Sequence, residues 1–253
     1  SSHYVTIITY KNVKVQHRET HESPLMIGPA LLHHDSNFQT YHSFFSHVKS
    51  ITKYDITGTV LQPNIEIQLG SDDEKALVAA MDSVFPNSIR FLCTRHLKEN
   101  VVRFLTKKVG VPQVDLKVMK SAIFGKDGLA HADSSFVYEE RVEAFKRCIE
   151  MQKYPLFQKY FDERLNDHIL NYVVRPNVIR GSNDLWTNNN SESMNNVLKQ
   201  VTNWKTLTLP NLINTMSDCI ENRLAELKRS LYNSGNYRLQ PNYRRFSMPN
   251  GVY

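Results

Sequence analysis

Residues 65–77 read Ile-Glu-Ile-Gln-Leu-Gly-Ser-Asp-Asp-Glu-Lys-Ala-Leu, and this stretch decides the fold class. Apolar and polar residues alternate up to Leu69, which is the pattern of a half-buried β-strand. After Gly70 the apolar residues recur at helical spacing, at Leu77, Met81, Val84 and Phe85. A strand followed at once by a helix is the repeating element of α/β proteins. Ser71 and Glu74 have the spacing of a capping box, which predicts that Ser71 caps this helix.

Strand and helix also alternate on both sides of this stretch. Runs of β-branched, aromatic or apolar residues predict strands over 4–10, 25–32 and 89–93, with a charged turn over 16–22. Helical spacing predicts a helix over 38–48 that lies on the sheet, capped by Ser36 or Asn37, and another helix after Cys93. We therefore predict an α/β core over residues 1–106.

The second half of the chain has no strand pattern. Residues 107–182 read as helices separated by Gly and Pro, and we predict a helical insertion there. Residues 183–232 contain two predicted helices that complete the core, and the second of them runs from Leu209 to Tyr232. Residues 233–253 form a basic and aromatic tail.

Length and composition set broad limits on the function. The 253 residues are enough for one substantial core with a large insertion, and 22% charged and 41% hydrophobic residues are ordinary globular values. A net charge of +6 points mildly to a polyanionic partner, although it also favours solubility. Three scattered cysteines argue against a disulfide framework or a four-ligand zinc site. No apolar run is long enough to cross a bilayer, so we expect no membrane partner.

Residues 186–199, Trp-Thr-Asn-Asn-Asn-Ser-Glu-Ser-Met-Asn-Asn-Val-Leu-Lys, predict a helix with one acid in its first turn. One face is apolar and should be buried, and it consists of Met194, Val197, Leu198 and Val201. The opposite face is polar and consists of Glu192, Asn195, Asn196 and Lys199. The carboxylate of Glu192 can reach a ligand from there. A well-capped surface helix explains the same residues.

Asp72 follows the carboxyl end of a predicted strand, which is where open α/β sheets usually place their functional residues. A purely structural role explains the position equally well, because the dipole of a helix favours an acid at its N-terminus. Asp73 and Glu74 compete with Asp72 for any catalytic or metal-binding role.

Cys93 and His96 have a C-x-x-H spacing between the next predicted strand and helix. This spacing could supply two metal ligands, but two ligands do not make a zinc site. A buried cysteine and a histidine on the polar face of the helix are the alternative. Arg95 and Lys98 lie beside this pair in the sequence and could hold phosphate.

The tail combines cations with aromatic rings. No acid follows Glu226, and the residues after it include Arg238, Arg244 and Arg245 interleaved with Tyr237, Tyr243 and Phe246. That mixture suits a polyanion that bears flat bases. An exposed, disordered terminus has the same composition.

Taken together, four segments resemble the Mutator-like element transposases in residues, order and spacing. They are 70–77 (GSDDEKAL), 85–86 (FP), 93–101 (CTRHLKENV) and 189–199 (NNSESMNNVLK). The resemblance runs from about Tyr4 to Lys205. It implies an RNase H-like mixed sheet with an Asp-Asp-Glu metal site, a C-x-x-H signature after the second Asp, and a large helical insertion before the last catalytic helix.

By this resemblance, Asp72 is the second catalytic acid and Glu192 the third, and both bind metal. The resemblance also implies supporting roles for Cys93, His96 and Asn195. The cofactor would be two Mg²⁺ or Mn²⁺ ions, which serve phosphodiester hydrolysis and strand transfer. The partner would be nuclear DNA, both transposon ends and target, and the chain could form a homo-oligomer. The expected DNA-binding residues are Arg95, Lys98, Lys199, Arg244 and Arg245.

Two features depart from the family pattern. Asp73 stands where the family commonly has Gly, which leaves open which of the neighbouring acids binds metal. The first catalytic Asp belongs to a central strand that precedes Tyr4 in this fold, and neither Asp35 nor Asp55 is placed to replace it. We therefore expect a fragment that lacks this strand and that does not cleave DNA by itself.

Two other functions fit the same residues. Plant far-red-response transcription regulators are similar to these transposases, and a domesticated regulator of that kind would bind DNA without cutting it. The helical insertion and the final helix could instead form a dimer surface in an interaction module. The presence of both Asp72 and Glu192 favours descent from an active enzyme, because a binding module has no physical need for both.

Overall fold

The computed structural model describes three ranges of the chain: residues 4–52, 67–182 and 184–249. Within them the chain is mixed α/β and mostly helical, with small sheets. It divides into two compact units: unit 1, Ser1–Asp35 with Asn189–Tyr253, and unit 2, Ser36–Asn188. None of the helices in the described ranges has the length and the apolar composition that crossing a membrane requires. Ile65, predicted to begin a strand, and Asp55 lie outside these ranges.

The strands are β1 (Tyr4–Lys11), β2 (Val15–His17), β3 (Leu25–His33), β4 (Gln68–Ser71), β5 (Ile89–Leu92) and β6 (Tyr237–Leu239). The helices are α1 (Phe38–Thr52), α2 (Lys75–Val84), α3 (Thr94–Phe104), α4 (Gln113–Phe124), α5 (Ser135–Arg147), α6 (Ile149–Gln152), α7 (Pro155–Tyr160), α8 (Asn166–Ile169), α9 (Arg175–Arg180), α10 (Asn189–Val201) and α11 (Leu209–Leu231). Three π-helical segments extend or join them: Leu105–Val109, Phe161–Leu165 and Leu170–Val174.

The parallel pair of β4 and β5 is connected through α2, which confirms the predicted strand-helix-strand unit. Ser71 pairs with Leu92 at the carboxyl ends of the two strands. The predicted capping box is wrong, because Ser71 is the last residue of β4 and its hydroxyl is buried there. Glu74 takes the N-cap position of α2 instead, without a side-chain capping bond.

Helix α1 packs chiefly against α2, so the prediction that it lies on the sheet needs correction. The Phe45 and Phe85 rings meet edge to face at 6.3 Å in this contact. Asn37 rather than Ser36 caps α1, since Asn37 Oδ1 accepts a hydrogen bond from the Thr40 N–H at 2.9 Å.

In unit 1, β1 and β3 form an antiparallel pair in which Tyr4 pairs with His33 and Lys11 with Leu25. Helices α10 and α11 pack on this pair. One hydrogen bond joins Thr9 Oγ1 of β1 to Ser191 Oγ of α10 at 3.0 Å. The helix that carries Glu192 is therefore fixed to the first strand.

Residues 237–248 of the tail fold back onto β2 and α11. β6 pairs antiparallel with β2, with Val15 opposite Leu239, and a 3₁₀ turn follows at Pro241–Phe246. The predicted charged turn over 16–22 therefore starts too early, because its first two residues belong to β2. Short-range patterns did not indicate this pairing, because its two strands are only three residues long and lie far apart in the chain.

The largest apolar core lies among the helices of unit 2, between Leu97 and Val174. Its centre includes a repeat of one apolar residue in four: Phe157, Phe161, Leu165, Ile169 and Val173. On an ideal α-helix such a repeat would rotate by about 40° at each step, because one turn takes 3.6 residues. The π-helical segments take more residues in each turn, so the repeat stays on the buried side.

We expect Phe161→Ala to lower the free energy of unfolding by about 3–5 kcal/mol, because it opens a cavity at a fully buried position. Phe136→Ala is the matched control, since Phe136 is 69% exposed, and it should change stability little. Urea denaturation of both variants checks this. Equal losses would show that the four-residue repeat is not the centre of the core.

Candidate functional site

The candidate site lies at the carboxyl ends of β4 and β5. Asp72 follows β4 and Cys93 follows β5, and the pairing of Ser71 with Leu92 makes these two residues neighbours. The Cys93 N–H donates to the Ser71 carbonyl at 3.0 Å, which continues the ladder to this edge. His96 lies in the first turn of α3, directly after Cys93. The strand register and the start of α3 therefore bring Cys93 and His96 close to Asp72, although they lie more than 20 residues from it in the chain.

The three side chains form a compact group. The His96 Nδ1–H donates to Asp72 Oδ1 at 2.7 Å, with the proton placed on Nδ1 because the carboxylate is the acceptor. One possible ligand atom from each of Asp72, Cys93 and His96 lies within 4.8 Å of the other two. Cys93 is only 1% exposed, whereas the side chain of Asp72 is 47% exposed. A carboxylate that is held at its base and open at its tip can bind a ligand.

Residues 186–188 close over the same strand ends, and sequence reasoning missed their role. The Thr94 N–H and hydroxyl both donate to the Trp186 carbonyl, at 3.1 and 2.9 Å. The Asn188 N–H donates to Cys93 Sγ at 3.3 Å, and Asn188 Nδ2–H donates to Asp72 Oδ1 at 3.2 Å. Trp186 and Asn188 directly precede the helix that carries Glu192. In the sequence, the asparagines at 188–190 read only as capping residues of that helix. No local pattern indicates a partner more than 90 residues away.

The Trp186 ring packs directly on β4. A Cβ added at Gly70 would lie 2.1 Å from Trp186 Cζ2, so only glycine leaves room for the indole. The ring also lies against Phe91 of β5, with 6.2 Å between centroids. Gly70 thus has a packing role two residues before Asp72, in addition to its place in the motif.

The three consecutive acids point to different partners. Asp73 pairs with Arg164 Nη2 at 2.7 Å and lies 3.8 Å from His168 Nδ1. Glu74 Oε2 accepts a hydrogen bond from the Tyr41 hydroxyl at 3.2 Å. Asp72 alone joins the group with Cys93 and His96. The sequence left the choice among the three acids open, and of the three only Asp72 lies in the group with Cys93 and His96; its metal-binding role stays a prediction.

Asp73 belongs to a partly buried electrostatic cluster. Burial lowers the pKa of His168, and the nearby Asp73 carboxylate partly opposes this effect. Burial also raises the pKa of Tyr160, and the cation of Arg164 partly opposes that shift. The cluster therefore favours a neutral imidazole and a neutral phenol around one ion pair. Asp73 links the β4–α2 loop to the helical core through this pair.

Asp72, Cys93 and His96 form a group that could hold a metal ion, and Asp72 offers it a carboxylate oxygen. Oδ1 already accepts two hydrogen bonds, whereas Oδ2 accepts none from the described residues. Mg²⁺ and Mn²⁺ prefer carboxylate oxygen, while sulfur and imidazole nitrogen suit zinc. Cys93 Sγ is buried and accepts the Asn188 N–H, and His96 Nδ1 is occupied by Asp72. His96 and Asn188 hold the Asp72 carboxylate directly, and Cys93 holds the backbone of Asn188.

Glu192 lies in the first turn of α10, in unit 1, and is half-buried. Met194 is buried as predicted, but Val201 is 52% exposed, so the predicted apolar face is wrong at its end. Asn195 and Lys199 line a cavity of about 380 Å³ in unit 1, and Lys199 Nζ lies 5.4 Å from the centre of the Trp204 ring. The predicted meeting of Asp72 and Glu192 joins residues of two separate units and stays a prediction.

The predicted DNA-binding cations are all exposed. Arg95 and Lys98 project from α3, near the Asp72 group in sequence. In the tail, Arg244 lines a cavity, whereas the Arg245 guanidinium lies 4.9 Å from the centre of the Phe246 ring. Exposure leaves these residues accessible to a ligand, and their role in binding DNA stays a prediction.

The fold and the site together define the class: an α/β protein with a candidate site for a divalent cation, where the Asp72 carboxylate at a strand end is held by the histidine of the C-x-x-H pair. The model of the family "Transposase, Mutator family" matches residues 64–217, which is more than half of the 253-residue chain. The chain therefore belongs to the Mutator family of transposases, and the matched range contains Asp72, Cys93, His96 and Glu192. No curated protein and no solved structure matches the chain.

We expect Gly70→Ala to lower the free energy of unfolding by about 1–3 kcal/mol, because its Cβ would displace the Trp186 ring. Urea denaturation followed by circular dichroism measures this, because that signal is present in every variant. The control repeats the substitution with Trp186→Leu, where the cost should shrink. An unchanged cost would show that the indole is not what excludes a side chain at position 70.

Proposed function

We propose that this chain contributes the catalytic core of a DNA transposase, which hydrolyses phosphodiester bonds at transposon ends and joins them to target DNA. The observation that carries the proposal is the Asp72 carboxylate, fixed by two donors at the end of a parallel strand with its second oxygen open. Family membership supports the same chemistry. The parallel unit of β4, α2 and β5 and the antiparallel pair of β1 and β3 are consistent with an RNase H-like fold, which we also propose.

In this proposal Asp72 binds a divalent metal through Oδ2. His96 and Asn188 are positioning residues, because both donate to Oδ1 and so restrict rotation of the carboxylate. Cys93 holds the Asn188 backbone in place. Bound Mg²⁺ or Mn²⁺ would neutralise phosphate charge and promote attack on the phosphodiester.

Glu192 is the proposed second metal-binding acid in this sequence. It lies in the matched range, and α10 is fixed to β1 through the Thr9–Ser191 hydrogen bond. Asn195 follows at i+3 on the same side of the helix, where it can contact the same substrate. Arg95, Lys98 and Lys199 would bind the DNA backbone, since phosphate contacts position a protein on DNA. We place this activity in the nucleus.

A DNA-binding regulator without cleavage is the alternative. Such a protein needs cations on its surface, but it does not need a carboxylate held by a histidine and an asparagine at a strand end. The Asp72 arrangement therefore favours the transposase. The alternative and the transposase both predict DNA binding, and they differ in whether a metal binds at Asp72.

Mn²⁺ binding tests the site directly. We expect Asp72→Asn to abolish the tightest Mn²⁺ site, measured by the electron paramagnetic resonance of free Mn²⁺, because it removes the open carboxylate oxygen. Asp73→Asn is the matched control, since Asp73 pairs with Arg164, and it should keep that site. His96→Gln should weaken binding by about 10- to 100-fold, as the loss of an outer partner does. If Asp73→Asn lost the tightest Mn²⁺ site and Asp72→Asn kept it, Asp72 would not be the residue that binds the metal.

Strand cleavage is a separate prediction. We expect no metal-dependent nicking of supercoiled plasmid by these 253 residues, because the sequence supplies only two of the three acids that the resemblance requires. Agarose gels with Mg²⁺ and with Mn²⁺ measure the nicking. Nicking that disappears in Glu192→Gln would contradict the predicted inactivity, and it would show that Glu192 is catalytic.

A further inference from the structure

Unit 1 contains a basic cavity that the Asp72 site does not use. Its volume is about 410 Å³, and three arginines line it: Arg18, Arg238 and Arg244. The remaining lining residues are Ser230, Asn233, Leu239 and Ser247, so no acid is present in the lining that the described residues supply. Three cations around one concave surface repel one another, and an anion would relieve that repulsion.

Tertiary structure brings these arginines together from distant parts of the sequence. Arg18 directly follows β2, and its N–H donates to the Asn236 carbonyl at 2.9 Å. Arg238 lies in β6 opposite Gln16 of β2. Arg244 belongs to the 3₁₀ turn, whose end is tied to α11 because the Met248 N–H donates to the Leu231 carbonyl at 2.8 Å. The cavity therefore forms only when the tail folds onto β2 and α11.

The Arg18 guanidinium is rigidly held. Its Nε donates to the Gly235 carbonyl at 2.8 Å, and Nη2 donates to the carbonyl and to Oδ1 of Asn233 at 2.6 and 3.0 Å. Asn233 and Gly235 both have left-handed backbones, with φ of 52° and 75°, which turn their carbonyls toward Arg18. Only Nη1 of Arg18 remains for a ligand, so its first role is to build the cavity wall.

Arg244 is the arginine that a structural role does not explain. A cation near the carboxyl end of a helix can donate to exposed carbonyls there. This accounts for Arg18, whose side chain donates to the Asn233 and Gly235 carbonyls just after α11. Arg238 is held across the β2–β6 pair, because its Nε and Nη2 donate to the side-chain oxygen of Gln16 at 3.1 and 3.2 Å, and Nη2 also donates to His21 Nδ1 at 3.3 Å. The side chain of Arg244 has no hydrogen bond or ion pair with the described residues, although it lines the cavity. Its five N–H donors are open to a ligand.

We propose that this cavity binds a phosphodiester group of a DNA strand. A guanidinium presents a planar fork of donors that matches phosphate oxygens, which makes arginine the preferred residue for such contacts. The chain carries a net charge of +6, which would attract a polyanion over a distance. The choice of DNA rests on the proposed function, whereas the anion chemistry rests on the cavity itself. Unit 1 would thus hold DNA independently of the Asp72 group in unit 2.

Fluorescence anisotropy with a labelled DNA duplex tests this proposal. All titrations contain EDTA, so the result does not depend on a metal at Asp72, and failure here is distinguishable from failure of the proposed function. We expect Arg244→Ala to weaken binding roughly tenfold at low salt. The slope of log affinity against log salt should fall by about one, as for a single lost phosphate contact. Arg244→Lys should recover part of the affinity, because it restores charge without the fork.

Arg245→Ala is the matched control, since it removes the same charge one residue away from a side chain that lies on Phe246 outside the cavity. Its loss of affinity should be several-fold smaller than that of Arg244→Ala. Equal losses in the two variants would overturn the proposal and show general charge attraction. Unchanged binding in Arg244→Ala would also overturn it, because Arg244 would then not contact the DNA. Competition by an oligoglutamate peptide as strong as that by unlabelled DNA would assign the cavity to acidic proteins. Thermal unfolding followed by circular dichroism confirms that each variant is folded.

Discussion

The contact between residues 186–188 and the ends of β4 and β5 is the constraint on which the candidate site depends. Trp186 fills the space over Gly70, its carbonyl accepts two hydrogen bonds from Thr94, and Asn188 reaches both Cys93 and Asp72. Without this segment, Oδ1 of Asp72 would keep only its bond to His96. The carboxylate would then rotate more freely, and a metal ligand that is not held in place binds weakly.

This constraint links the site to the stability of the helical core. Between Thr94 and Trp186 the chain runs through α3 to α9, and these helices bury the largest apolar cluster in the described part of unit 2. Residues 186–188 follow these packed helices directly, since α9 ends at Arg180. The fixed ion pair between Asp73 and Arg164 adds a second connection between the β4–α2 loop and the same helices. The segment that holds Asp72 is therefore continuous with the packed helical core.

The acids at positions 72 to 74 show how little one-dimensional spacing says about roles. All three lie between the end of β4 and the start of α2, and each alone fits an acid near a helix N-terminus. The backbone turns in this loop, so successive side chains leave in different directions, toward His96, Arg164 and Tyr41 respectively. Two of these carboxylates stabilise the fold, and one remains open for a ligand.

In the tail, too, the sequence indicates only part of the proposed anion site. The composition of the tail suggested a polyanion partner and pointed to Arg238 and Arg244, but it did not indicate Arg18 as the third arginine of the cavity. Arg18 lies more than 200 residues before Arg238 and Arg244 and was not a candidate. Arg244 and Arg245 were both candidates, and of these two Arg244 lines the cavity, whereas Arg245 lies on the Phe246 ring. The pairing of β2 with β6 decides which cations share a cavity.

The sequence by itself determined the features that depend on neighbouring residues. Period and propensity are local, so strands β1, β3, β4 and β5, the α2 connection and the long helix α11 all follow from the pattern, and the ordered motifs indicated the Mutator family. Tertiary structure alone decided the features that depend on distant residues. Contacts across dozens of residues produce the π-helical segments in the four-residue repeat and the pairing of β2 with β6. They also produce the packing of Trp186 on Gly70 and the position of Asp72 beside Cys93 and His96. Such contacts carry no local periodicity, because they form only where packing brings the two partners together.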